Sequence, residues 1–277
     1  MSYFELSLLA GLALGGLLGS QLWGALGTGA FTALALVYVV AALMMFIGGT
    51  GGRRHHGHDV WQGLIRSLAK PALRRLAPVW LCMNAIVGLW LGPTLYFLLT
   101  HQSRSHQLLS GLLADDPTRL GWLLFAYSLV FGAGLVVWSR VLPRTNLRRA
   151  LRMSLFAMLG VSAGLLLLNH MGDVPISLRW ALTALIALLV MVESGFTPAA
   201  LSLLAAAVGP GVGRGAAMGL YSFLLSLGAL AGSLLAGFAG GRYAIDGLVY
   251  ATFGLALLAL TLLARLEPAR LAGLEAE

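Results

Sequence analysis

Charge is scarce in this chain. Asp, Glu, Lys and Arg make up 10% of its 277 residues, against about 25% in ordinary soluble proteins, too little to cover a water-facing surface. Cysteine is nearly missing too. The single Cys82 excludes an internal disulfide and lies in an apolar run without metal-ligand spacing, so redox chemistry has no support. What fills the chain instead is apolar, with 59% hydrophobic residues and a mean hydropathy of +0.88, the composition of an all-α polytopic membrane protein. The 36 glycines, about 13% of the chain against about 7% in average proteins, suit helices that approach closely without a hydrophobic drive between them.

Eight apolar runs reach or approach spanning length, at about Leu6–Leu26, Ala30–Gly48, Pro78–Leu99, Leu120–Trp138, Met153–Asn169, Trp180–Val208, Ala216–Ala239 and Leu248–Ala264. Pro78 suits the first turn of its helix. Pro93 and Pro198 fall inside theirs and predict kinks. In the longest polar stretch, Asp59 to Ala69 places Trp61, Leu64, Ile65 and Leu68 on one face, which predicts a short helix lying on the membrane surface.

Basic residues in short connections are retained on the cytoplasmic side. One side collects Arg53, Arg54, Arg66, Lys70, Arg74, Arg75, Arg140, Arg144, Arg148, Arg149, Arg152, Arg214, Arg265 and Arg270; the other has Arg104, Arg119, Arg179 and Arg242. Fourteen against four, all 18 basic residues, predicts that both termini and the long central connection are cytoplasmic. The net charge of +8 therefore points to anionic lipid headgroups rather than nucleic acid.

The run from Trp180 to Val208 carries Glu193 near its middle, where an acidic side chain costs about 2.5 to 3.5 kcal/mol on insertion scales. The other acids fall in connections, in the tail or, for Glu5, at a helix edge. Removal from water disfavours the charged form of a carboxyl, a property that a proton carrier needs. The alternative is a structural acid, hydrogen-bonded to Ser194, Thr197 or a carbonyl freed by Pro198. Glu193 shares a helical face with Thr183, Val190 and Thr197, a polar stripe of the kind that faces a pathway.

Enzyme motifs are present only as spellings. Gly160-Val161-Ser162-Ala163-Gly164 has the hydrolase pattern, but it sits inside an apolar run instead of a strand-to-helix turn. GPGVGRG at Gly209–Gly215 has neither a preceding strand nor a following Lys-Ser/Thr, so a cytoplasmic turn explains it better than a phosphate loop. His55, His56 and His58 lie beside arginines in a polar connection, where solvation is the plainer reading than metal binding. No cofactor is expected.

One internal repeat is visible: GGLLGSQLWG at Gly15–Gly24 returns as GALAGSLLAG at Gly228–Gly237, both reading GxxxGSxxxG. Such glycine spacing marks a packing seam, assigned here to Gly15, Gly19, Gly24, Gly228, Gly232 and Gly237. The copies are six runs apart, and the basic central connection lies between two six-run halves. This resembles the major facilitator superfamily, whose transporters join two six-helix halves through a basic cytoplasmic connection. On that resemblance the eight spans correspond to the family's helices five to twelve: 1–48 ends the first half, 49–77 is the basic connection, 78–264 is the second half and 265–277 is a tail. Four further spans are then expected upstream, and transport is not expected of the 277 residues alone.

The resemblance has gaps. Exporters of the family often carry Gly-Pro in a glycine-rich fifth helix, whereas Ser20 follows Gly19 here, so the glycines alone suggest export. SRVLPRTNLRR from Ser139 keeps the positive charge of a family loop pattern but lacks its Asp and Gly. What the resemblance implies is proton-coupled secondary transport of a small molecule in a bacterial plasma (inner) membrane, with Glu193 exchanging the proton. It also implies a cavity lined by Gln21, Asn84, Tyr127, Thr197, Tyr221 and Ser226, although hydrogen bonding between helices is the plainer use of such side chains. Trp90 and Tyr96 stack on an aromatic substrate or fill space. A non-transporting fragment or scaffold and an intramembrane enzyme are the competing readings.

Overall fold

The computed structural model describes residues 2–48, 71–91, 93–100, 107–116, 118–208 and 214–265. Within them all the regular structure is helical, with no strand. The helices are α1 (Ser2–Leu26), α2 (Gly29–Gly48), α3 (Pro71–Leu91), α4 (Pro93–Leu99), α5 (Arg119–Val141), α6 (Leu147–Asn169), α7 (Ile176–Glu193), α8 (Phe196–Val208) and α9 (Arg214–Ala264), with a 3-10 turn at Leu142–Arg144. The expected surface helix at 59–69, the histidines at 55, 56 and 58, and residues 209–213 of the glycine-rich turn lie outside the described residues.

Seven described stretches, some of them combining two helices, are long and apolar enough to cross a membrane, where the apolar runs predicted eight. The difference lies at the carboxy-terminal end. The last two runs are two helices that meet across a kink within α9, and its apolar part, Gly219–Ala264, has 46 residues. At 1.5 Å per residue such a rod would extend about 69 Å, twice the hydrocarbon thickness of about 30 Å. It is not a rod. Ala244 has φ 51° and ψ −131°, and Gly247 comes against the backbone of Ala239 and Gly240, so the chain doubles back at a corner. This conformation suits glycine and strains a residue with a Cβ by about 1 kcal/mol or more. Ala244→Gly is accordingly expected to raise the melting temperature of the detergent-purified protein, and a lowered one would show that the corner is unstrained.

Proline marks the other breaks. The third run starts at Pro71 rather than Pro78 and divides before Pro93 into α3 and α4. The expected kink around Pro198 is a complete break one turn earlier. α7 stops at Glu193, and Pro198 occupies the first turn of α8, where its missing N–H costs nothing.

Packing follows small residues. α9 lies along α3, where Gly228 faces Asn84 and Gly232 faces Ala85, and the Ser233 hydroxyl donates to the Gly88 carbonyl at 3.2 Å. The first copy of the motif is used differently. α1 meets α5 through Gly16 and Ser20, against Leu124 and Gly121, while Gly15 and Gly19, as well as Gly237 in the second copy, face open space; Gly24 touches Thr118. Buried apolar clusters tie α3, α6, α8 and α9 together, with a smaller one between α6 and α7. α1 and α2 stay on the outside, exposing Leu14, Leu18, Phe31, Met45 and Phe46, an apolar exterior suited to lipid.

Candidate functional site

Glu193 is the last residue of α7 and is buried, with 9% of its surface exposed. Backbone accounting explains the break beneath it. Pro198 has no N–H to offer the Ser194 carbonyl, so the helical ladder cannot run through. Ser194 N–H still reaches the Val190 carbonyl at 3.0 Å, but Gly195 N–H tightens onto Val192 at 3.3 Å, and the Ser194 hydroxyl takes the Met191 carbonyl at 2.8 Å. The Val192 carbonyl also receives Trp138 Nε1 from α5 at 3.1 Å and the Ser154 hydroxyl from α6 at 3.2 Å.

Two glycines let α5 come this close. A Cβ on Gly134 would strike Ser194 and Met191, and one on Gly195 would enter the Trp138 ring. The carboxylate is left alone by contrast. Among the described residues Arg119 pairs with Asp116 and His170 Nε2 lies 2.9 Å from Asp246 Oδ2, and among these residues no hydrogen bond is made to the Glu193 carboxyl. Of the partners that the structural alternative offers, Ser194, Thr197 or a freed carbonyl, Ser194 turns to its own backbone.

A second buried acid was not legible as such. Asp246, 8% exposed, sits just past the corner of α9 rather than in an open connection. Asn169 Nδ2 donates to its Oδ1 at 2.8 Å, while Gln107 Nε2 and His170 Nε2 lie 2.9 Å from its Oδ2. Gln107 also donates to the Tyr243 carbonyl at 2.9 Å, and its Oε1 accepts from Ile245 N–H at 3.2 Å. Asn169 Oδ1 takes Leu109 N–H at 2.9 Å. One carboxylate thus ties segment 107–116, the end of α6 and the corner of α9.

The sequence profile of the Major Facilitator Superfamily matches residues 107–277. The chain belongs to the major facilitator superfamily. No curated protein and no solved structure matches it. Members of this superfamily are membrane transporters of small molecules rather than enzymes, which agrees with the apolar helices described above.

Within this superfamily member the expected cavity residues separate by burial into three groups. Asn84 and Tyr221 are buried at the α3–α9 seam, where Tyr221 packs edge-on against Trp80 at 5.5 Å and Asn84 Nδ2 has no hydrogen-bond partner. Gln21, Tyr127 and Ser226 are exposed on helix faces, and Thr197 is half-buried in the first turn of α8. Tyr127 lies on the same face of α5 as Gly134 and Trp138. The polar stripe read through Glu193 does not persist. Thr183 is exposed and bonds the Arg179 carbonyl at 2.9 Å, Val190 joins the α6–α7 cluster, and Thr197 belongs to the next helix. Trp90 is held by Thr252 Oγ1 at 2.8 Å, a structural use of its N–H.

Proposed function

We propose that this protein moves a small amphipathic compound across a bacterial plasma membrane by secondary active transport coupled to protons, with Glu193 as the proton-exchanging group. The observation carrying the reading is an acid buried at a break between two half-helices and left without an ion-pair partner among the described residues. Intramembrane carboxyls that are costly to bury and unpaired are the groups through which transporters exchange protons. Breaks in a spanning helix are where transporters place their sites. Export is the proposed direction, supported by the glycine-rich α1. The decisive experiment loads proteoliposomes containing the full-length protein with a pH-sensitive dye and presents ethidium as an amphipathic probe. Ethidium movement that drives proton movement supports the reading.

The proposed topology has α9 crossing twice, giving eight spans that correspond to the family's helices five to twelve, with both termini cytoplasmic. It is supported by the joining of segment 107–116, Asn169–His170 and Tyr243–Asp246, three of the connections poor in basic residues, while Arg148 Nη2 reaches the Ala264 carbonyl at 3.4 Å elsewhere. In a Cys82→Ser background, Asp173→Cys is expected to react with an impermeant thiol reagent on intact cells and Thr145→Cys only after lysis. Equal labelling before lysis rejects this orientation.

The second reading is a non-transporting membrane scaffold, favoured by the outlying position of α1 and α2, whose spans are 6% buried. A stable protein that binds no probe and moves no proton is its expected signature.

A further inference from the structure

We infer that Trp138 and Ser154 are positioning residues for Glu193, two side chains from neighbouring helices that clamp the carbonyl one residue before it and so fix where the acid stands. The inference rests on the proton-exchange reading for its purpose, though its geometry stands apart from it. In an unbroken helix the Val192 carbonyl would take the N–H of Phe196. The break removes that donor, and a carbonyl in a membrane interior must find another. Gly195 N–H approaches at 3.3 Å from the tightened turn, a bond that leaves room for more than one donor. Trp138 Nε1 and Ser154 Oγ supply them, one from α5 and the other from α6.

The clamp is directional. Trp138 is 5% exposed and Ser154 fully buried, so neither donor has water as an easy alternative. The Trp138 ring also presses on Gly195. Its indole therefore fixes both the carbonyl preceding Glu193 and the backbone two residues after it. Glu193, lacking partners of its own among the described residues, takes its position from this backbone. An acid that must meet both a proton and an apolar surrounding is better served by such indirect support than by a direct bond, which would stabilise one protonation state over the other.

The test compares two carbodiimides on the membrane-embedded, full-length protein, with modified carboxyls located by peptide mass spectrometry. Dicyclohexylcarbodiimide samples carboxyls in apolar surroundings, and a water-soluble carbodiimide samples those open to water. The ratio of the two labels at Glu193 is expected to fall about fivefold in Trp138→Phe and in Ser154→Ala, the size of one lost hydrogen bond. Ser154→Thr, which keeps the hydroxyl, is expected to hold the parental ratio. Asp246, buried elsewhere in the same protein, reports general loosening and is expected to keep its ratio in every variant. An unchanged ratio at Glu193 in both disabling variants, or an equal change at Asp246, overturns the clamp. Failure of the proton-exchange reading shows separately, as ethidium-coupled proton movement that survives Glu193→Gln.

Discussion

Glu193→Gln is expected to abolish proton-coupled movement of ethidium in proteoliposomes while the protein still inserts and purifies in parental yield. The amide matches the carboxyl in shape and keeps hydrogen-bonding capacity, so the packing of Gly134 and Trp138 on the break has no cause to change. What it cannot do is release a proton. Downhill exchange of the probe, which needs no net proton movement, is expected to continue. Coupled movement at the parental rate in the Gln variant would make Glu193 a structural acid. A yield far below the parent would instead show that its charge or its carboxyl oxygens hold the helix end, and the proposed role would fall with it. The position is informative because Asp246, the other buried acid described here, is already fully engaged.

Asp246→Ala is the substitution expected to cost the most stability, about 3 kcal/mol. It strips the acceptor from the amides of Gln107 and Asn169, of which Asn169 is fully buried, and releases His170. Buried donors left unpaired carry the full penalty of lost hydration. Asp246→Asn keeps one acceptor oxygen and is expected to lose less than half as much. Thermal unfolding of the detergent-purified variants, followed by tryptophan fluorescence, reads both. Parental melting of the Ala variant would mean that water serves these amides as well as the carboxylate does. Proton coupling measured in the Asn variant is expected to match the parent, which separates this acid from Glu193.

The helices were legible because a membrane span declares itself through length and hydropathy, signals that need no knowledge of neighbours. Glu193 was legible for the same reason, as an ion in a run that should hold none. The break beside it lies one turn before Pro198, because the missing N–H is felt by the carbonyl four residues earlier, at Ser194. The role of Asp246 could not be read, since its partners are 76 to 139 residues away and nothing local marks them. Glycine spacing was similarly ambiguous. With glycines at both 15 and 16, the pattern named the seam but not the face, and α5 docks on the side of Gly16 and Ser20.

The Asp246 knot has a further consequence during synthesis. Its hydrogen bonds close separations of 60, 77 and 139 residues, and the carboxylate is the last of its members to leave the ribosome. Until then the side-chain amides of Gln107 and Asn169 lack the acceptor that satisfies them later. Loops of this length close slowly compared with the formation of a single helix. Assembly of this bundle is therefore ordered in time, with α5, α6 and α7 able to settle against one another early and their joined end locked only when α9 has turned its corner.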